Sequence, residues 1–226
     1  MSFFTLFLNK KSSIPLKVGI AENNEYCCLV HFQHGQEHVI WQKKPIDLTT
    51  FIKQQFQPHT LSHLIRPIPY QYIWRKYYVT ANTHSQTAQH KQVLQMIKQE
   101  LPIPLEEMYF DFTTTEIPNQ NVKRISIYAL RKAFADPLIV NKQTVLDCEL
   151  HCWQRGIHAL LNNEQQNQKM FNYVYQNKAF TFKENELIFC PEMPEDAISL
   201  DSLCLPSEVI YPEIYVLALG AALWHS

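Results

Sequence analysis

The stretch Leu94-Gln95-Met96-Ile97-Lys98-Gln99-Glu100-Leu101-Pro102-Ile103-Pro104-Leu105-Glu106-Glu107-Met108-Tyr109-Phe110-Asp111-Phe112 changes its hydrophobic period part-way along. Val93, Leu94, Ile97 and Leu101 recur at three- and four-residue intervals, which lines them along one face of a helix. Pro102 ends that helix, because the residue before a proline is pushed out of the α region. After the prolines, Met108, Phe110 and Phe112 alternate with Tyr109, Asp111 and Thr113, the period of a half-buried strand. Between the two, Pro102 and Pro104 fix φ and remove two N–H donors, so Leu101 to Leu105 is a stiff extended ridge that cannot join a sheet interior.

Toward the C-terminus, Ile125, Ile127 and Ala129 alternate with Ser126 and Tyr128 as a second strand, with Pro118-Asn119 as the turn. Lys132 to Val140 reads as a short helix and Gln143 to Leu146 as a strand. Leu150, Trp153, Ile157, Leu160 and Leu161 mark the buried stripe of another helix. Asn162 to Lys169 is wholly polar and reads as an exposed boundary. Phe171 to Tyr175 and Ala179 to Lys183 flank Gln176-Asn177-Lys178 as a hairpin, with Glu186 to Cys190 as a third strand. Pro212 opens a last helix, whose Ala218, Gly220, Ala221 and Ala222 let another backbone come close.

Toward the N-terminus, Leu16 to Ala21, Tyr26 to Phe32 and Glu37 to Trp41 form a three-stranded meander, reversing at Glu22–Glu25 and at His34-Gly35. Asp47 begins a helix that carries Leu48, Phe51, Ile52 and Phe56 on one face and stops at Pro58. Leu61 to Ile68 is apolar but broken by Pro67, with Pro69 just beyond it, and Tyr72 to Val79 is rich in strand formers. The alternation of strands and helices gives an α/β protein.

Composition limits the chemistry. The chain has 226 residues, with 46% hydrophobic and 18% charged, enough for a sizeable core. Lys plus Arg number 20 against 21 Asp plus Glu, a net charge of -1, which lacks the basic footprint of a direct nucleic-acid binder. The four glycines stand too far apart for a G-x-G-x-x-G turn or a P-loop, which excludes Rossmann dinucleotide enzymes and P-loop NTPases. The six cysteines form no C-x-x-C pair and follow no secretory signal, so they read as reduced thiols. The apolar run Phe3 to Leu8 is far shorter than the roughly 20 residues of a membrane-spanning helix.

The opening stretch resembles the most recognisable segment of the PilM family of type IV pilus assembly proteins, in which a helix ends in Pro-x-Pro-Leu-Glu-Glu and leads into a strand bearing Asp. Ile125–Lys132, Val145–Glu149 and Ala218–Leu223 are similar to three further family segments, in the same order. The resemblance implies an actin-like ATPase (ribonuclease H-like) fold with a complete first half and a reduced second half. The first half would span 1–161, with an inserted helix–strand subdomain at about 61–122, and the second 162–226. It also implies a cytoplasmic scaffold, held at the inner membrane through its partners, that binds the N-terminal tail of a PilN-like inner-membrane protein. Shortened relatives, the ComA competence protein and HofM, serve DNA uptake, and this chain is most similar to those.

Members that bind ATP begin with Gly-Ile-Asp-Ile-Gly, where Asp handles the metal and Gly with hydroxyl donors wraps a phosphate. This chain has Gly19-Ile20-Ala21-Glu22-Asn23-Asn24. Ala21 replaces the Asp and Asn23 the second Gly, so Gly19, Ala21 and Asn23 mark a degenerate phosphate loop. The expectation is a pseudo-ATPase without cofactor or metal; the alternative is a nucleotide-binding actin-like ATPase with diverged loops. The partner-binding residues expected are Leu101, Pro102, Pro104, Leu105, Glu106 and Glu107, as the wall of a groove for an extended tail.

Three further groupings bring reactive or metal-ligating side chains close in sequence. Cys148, His151 and Cys152, with Asp147 and Glu149, have spacing for zinc or for a Cys–His nucleophile, but no fourth ligand and no orienting third group, and buried core cysteines are the simpler reading. His31, His34, His38, His59 and His63 carry no zincin Glu and are assigned no role. Glu106, Glu107 and Asp111 could hold nuclease metals, with Glu107 and Asp111 on one strand face; a solvated edge is the simpler reading.

Overall fold

The first strand decides which layer goes on which side. In the computed structural model, which describes residues 16–56, 61–81, 85–118, 120–161, 171–183 and 186–225, β1 (Leu16–Glu22) turns Val18 and Ile20 to one side and Gly19 and Ala21 to the other. It pairs antiparallel with β2 (Tyr26–Gln33), which pairs antiparallel with β3 (Gln36–Lys43). On its other side β1 pairs parallel with β4 (Leu61–Ile68), which pairs parallel with β8 (Thr144–Cys148), giving the order β3-β2-β1-β4-β8.

The Val18 and Ile20 side is covered by α1 (Leu48–Gln55). Asp47 caps this helix by accepting from the Thr49 and Thr50 amides, and Ile52 and Phe56 complete the core with Leu29 and Leu64. The other side is covered by α4 (Glu149–Leu160) and α5 (Pro212–Ala222). Glycine makes this layer possible. A Cβ on Gly19 would lie 2.0 Å from the Ala218 carbonyl oxygen, one on Gly156 2.2 Å from that of Val216, and one on Gly220 1.7 Å from that of Cys152. The α5 backbone therefore wedges between β1 and α4 at distances that only glycine permits.

Between β4 and β8 the chain builds a second sheet from β5 (Ile73–Ala81), β6 (Met108–Glu116) and β7 (Val122–Arg131), antiparallel in the order β5-β7-β6. α2 (Gln86–Glu100), capped by Ser85, covers one face of it, burying Val93 and Ile97 against Ile125 and Ile127. After β7, α3 (Lys132–Ala135) and a 3-10 turn at Asp136–Leu138 lead back to β8. The third sheet, β11-β10-β9, comprises β9 (Asn172–Tyr175), β10 (Lys178–Lys183) and β11 (Glu186–Phe189). Its Tyr173, Tyr175 and Phe180 share a core with Trp153 of α4 and Tyr215 of α5, so residues on both sides of position 162 fill one interior.

Some boundaries differ from the sequence reading. Leu61–Ile68, placed there inside the inserted subdomain, is the strand beside β1, and the inserted sheet runs from Ile73 to Arg131. Pro67 is tolerated because the β1 ladder ends at Gly19 and Ile65, leaving the strand one neighbour where the N–H is missing. The helix expected over Lys132–Val140 is one short turn of α3, because Pro137 follows at once. Phe3–Leu8, Pro58, His59, Asn119 and the loop Asn162–Lys169 lie outside the described residues.

Candidate functional site

The β1–β2 turn, where the resemblance places a phosphate loop, is closed on its own side chains. Asn23 Oδ1 accepts from the backbone N–H of Glu25 at 2.8 Å and of Tyr26 at 2.7 Å, and the Asn23 N–H donates to the Tyr26 carbonyl. The donors that would face an anion are thus spent on the turn itself. Ala21 is 5% exposed and packs in the core, and Gly19 faces α5 rather than a ligand. Tyr211, just ahead of α5, leans on Tyr26 and Trp41 and donates its hydroxyl to Glu25 at 2.6 Å.

At the end of β1, Glu22 binds the buried Arg66 of β4 and lies 2.8 Å from Lys44. Burial pushes this carboxyl up, but Lys44 and Arg66 outweigh it and hold the group below its ordinary value. Arg66 also donates to the Leu138 carbonyl, which ties the main sheet to the return from the inserted sheet. The carboxylate nearest the degenerate loop is therefore neutralised by two cations, an arrangement opposed to holding a magnesium ion.

Elsewhere the face of the inserted sheet turned away from α2 stands opposite β8, which among the described residues is an unpaired edge. A cleft of about 530 Å³ lies between that face, formed by β5, β7 and β6, and the β8 edge of the main sheet. Ile68, Ile139, Val145, Leu130 and Trp224 give it an apolar lining, and Arg75, Tyr109, Asp111, Tyr128 and His151 supply the polar groups. The alternation that turns Phe110, Phe112 and Ile127 toward α2 turns Tyr109, Asp111 and Tyr128 away from it, toward the cleft. A smaller cavity of about 290 Å³ continues past Tyr128 and His151, lined by Tyr77, Thr113, Thr115, Ser126, Arg124 and Glu186.

The proline ridge stands beside a different groove. Leu101 and Pro104 are extended, at φ/ψ of -109/122 and -56/138, and Pro102 and Pro104 face solvent. Leu101 and Leu105 pack toward α2's core, and Leu101 and Ile103 line a groove of about 550 Å³ with Tyr72, Met108 and Phe134. Glu106 is exposed, and Glu107 sits in a single 3-10 turn, 3.5 Å from Arg131. Because Glu107 precedes the strand, it does not share a strand face with Asp111, whose carboxylate accepts from the Phe112 N–H. These acids do not converge.

The Cys148–His151–Cys152 grouping is a packing site. Asp147 is held by Arg155, and Glu149 turns away to accept from the Tyr70 N–H at 2.8 Å and the Tyr175 hydroxyl at 3.1 Å. Burial pushes both thiols up; Arg75 and the Leu150 and His151 amides oppose this at Cys148 without reversing it. Cys27 is likewise pushed up to about 12 by burial. Among the described residues no three metal-ligating side chains come together. His31 and His38 stack across β2 and β3, His34 occupies the turn at φ 52°, and His63 leans on Trp224.

Of the cleft residues the sequence reading named only Asp111, Asp147, Cys148 and His151 as candidates, for metal or nucleophile chemistry, and missed the rest. Period-two alternation marks two faces on each strand, but nothing in a single sequence says that β8's edge stands opposite one face of the inserted sheet.

No family model matches the chain, and no curated protein matches it significantly. Among solved structures it is similar to a chain of the PilM-PilN type IV pilus biogenesis complex, with a TM-score of 0.54 and 11% identity, covering 76% of this chain and 59% of that one. The likeness is one of fold. This chain thus spans about 59% of that neighbour's length, and its mixed α/β arrangement agrees with the fold class the resemblance implied. It is also similar to the cytoplasmic domain of EpsL, an inner membrane component of the type II secretion system of Vibrio cholerae, with a TM-score of 0.44 and 7% identity, covering 77% and 70% of the two chains. Among the described residues no helix is long and apolar enough to cross a membrane.

Proposed function

We propose that the chain is a non-enzymatic scaffold of a type IV pilus or competence machine, and that it holds the extended N-terminal tail of a PilN-like inner-membrane protein in the cleft between β6 and β8. One observation carries this reading: the unpaired edge of β8 and the open face of the inserted sheet flank an apolar cleft, while the turn that marks the degenerate phosphate loop is closed by Asn23. An extended peptide gains backbone hydrogen bonds from the β8 edge and seats alternate side chains among Leu130, Val145 and Trp224. The ordering cost keeps its affinity moderate. The fold likeness to a chain of a PilM-PilN complex supports the choice of partner. We read β9 to α5 as a shortened second half, the cytoplasm as the protein's compartment, and DNA uptake as one output of the machine.

The test is calorimetric titration with a synthetic peptide copying the tail of the co-encoded PilN-like protein, with Mg²⁺-ATP run in parallel. Binding in the range of about 1–100 μM is expected for the peptide, with no heat from ATP. Tyr109→Ala and Leu130→Ala should each weaken the peptide by about tenfold, as loss of an interface anchor does. Heat from ATP and none from the peptide would reverse the assignment in favour of a nucleotide-binding protein.

A further inference from the structure

Three of the exposed aromatic side chains lie together, apart from Tyr109 in the β6–β8 cleft. Tyr72, Phe134, Phe189 and Met193, between 39% and 54% exposed, gather along two adjoining grooves of about 500 and 550 Å³. Tyr70 and Phe189 line both grooves, with ring centroids 5.1 Å apart, so the two run into one another; Tyr72 stacks on Phe134 at 4.4 Å. Soluble proteins seldom leave so connected an apolar surface open unless something docks there.

The charge lining it leans basic, with Lys178, Arg75 and Arg131 against Glu192. Lys178 Nζ donates to the Tyr70 hydroxyl at 2.7 Å and lies 5.5 Å from that ring, and Arg75 lies 5.8 Å from the same ring while donating to the Tyr70 carbonyl. Among the described residues neither cation has a carboxylate within salt-bridge distance; both are held against an aromatic face instead. Arg131 has Glu107 at 3.5 Å, but both side chains are about half exposed, so the pair is weak and open to exchange.

We propose that these joined grooves are a second docking site, for an extended segment of a partner protein that alternates apolar or aromatic side chains with acidic ones. The aromatic rings form the floor for the apolar side chains, and Lys178, Arg75 and Arg131 meet the carboxylates. The aromatics line concave grooves rather than a projecting face, which favours a chain segment over a lipid surface. This site adjoins the β6–β8 cleft through Ile73, Arg75 and Ala129, and the rest of its lining is its own. It does not depend on the tail binding in that cleft.

The test uses the full chain and three probes: a short fluorescein-labelled peptide alternating Phe or Leu with Glu, the same peptide with Lys in place of Glu, and phosphatidylcholine–phosphatidylserine vesicles. The acidic peptide should bind at least about tenfold more tightly than the basic one. Phe134→Ser with Phe189→Ser should weaken it by about tenfold or more, and Lys178→Glu with Arg131→Glu should invert the preference. All four positions are exposed, so folding should survive, as the variants' thermal melts will report. The PilN-like tail peptide should bind these variants as it binds the unaltered protein. Equal binding of both short peptides, capture by vesicles without peptide binding, or parallel loss of the tail peptide would each overturn the proposal.

Discussion

Gly220 shows how one residue sets the distance between layers. Its missing Cβ would fall 1.7 Å from the Cys152 carbonyl oxygen, a backbone atom that cannot move aside as a side-chain tip can. Gly220→Ala should therefore lower stability by about 3 kcal/mol or more, at the upper end of overpacking costs, seen as a reduced midpoint in urea unfolding. Gly35→Ala has open space around its Cβ, but its φ of +78° strains any other residue, so the cost there should be nearer about 1 kcal/mol. Gly19 belongs with Gly220. In the sequence it reads as the first residue of a worn phosphate loop; in the fold it faces Ala218 and Ala222, and that packing is what the position requires.

At the scale of elements, the inserted sheet stands on a small core of its own. Val93, Ile97, Ile125 and Ile127 are fully buried between α2 and the sheet, apart from the main interior. Ile97→Ala should cost about 2–4 kcal/mol, and because β6 forms one wall of the cleft, it should weaken tail binding more than it lowers the main unfolding midpoint. Denaturation followed by both near-ultraviolet circular dichroism and peptide binding would separate the two effects. The helix and strands of this unit were legible because burial on one face imposes a period, 3.6 for Val93 to Leu101 and two for Met108 to Phe112. Leu61–Ile68 was not legible: a parallel strand buried on both faces has no alternation, and Pro67 argues against a strand unless one knows where the neighbouring ladder stops. The cleft was unreadable for a related reason, since it depends on which edge meets which face rather than on any local pattern.

For the whole molecule, histidines should set the response to mild acid. Burial depresses His31, His151 and His158; His38 adds to this at His31, and at His151 burial prevails over the opposing pull of Asp147, with Arg155 and Arg75 on its side. A histidine held neutral in the fold but free to protonate near pH 6.5 when unfolded favours the unfolded chain as pH falls. Stability should thus be level above about pH 7 and decline below about 6.5, by at most about 1.4 kcal/mol per pH unit for each group. Glu149, raised by burial, has the opposite sign and recovers stability only as pH enters the carboxylate range. Melting temperatures across this range, repeated with His158→Gln, check the assignment by a shallower slope.

The reading of the molecule as a tail-binding scaffold stands on which of two places is open to a ligand, the β6–β8 cleft or the β1–β2 turn. Hydrogen exchange by mass spectrometry, with the tail peptide and with Mg²⁺-ATP in turn, reads both places at once. The peptide should slow exchange along Tyr109–Thr113 and Val145–Cys148, and ATP should leave Glu22–Tyr26 unchanged. Protection of Glu22–Tyr26 by ATP, with none along β6 or β8 from the peptide, would contradict it.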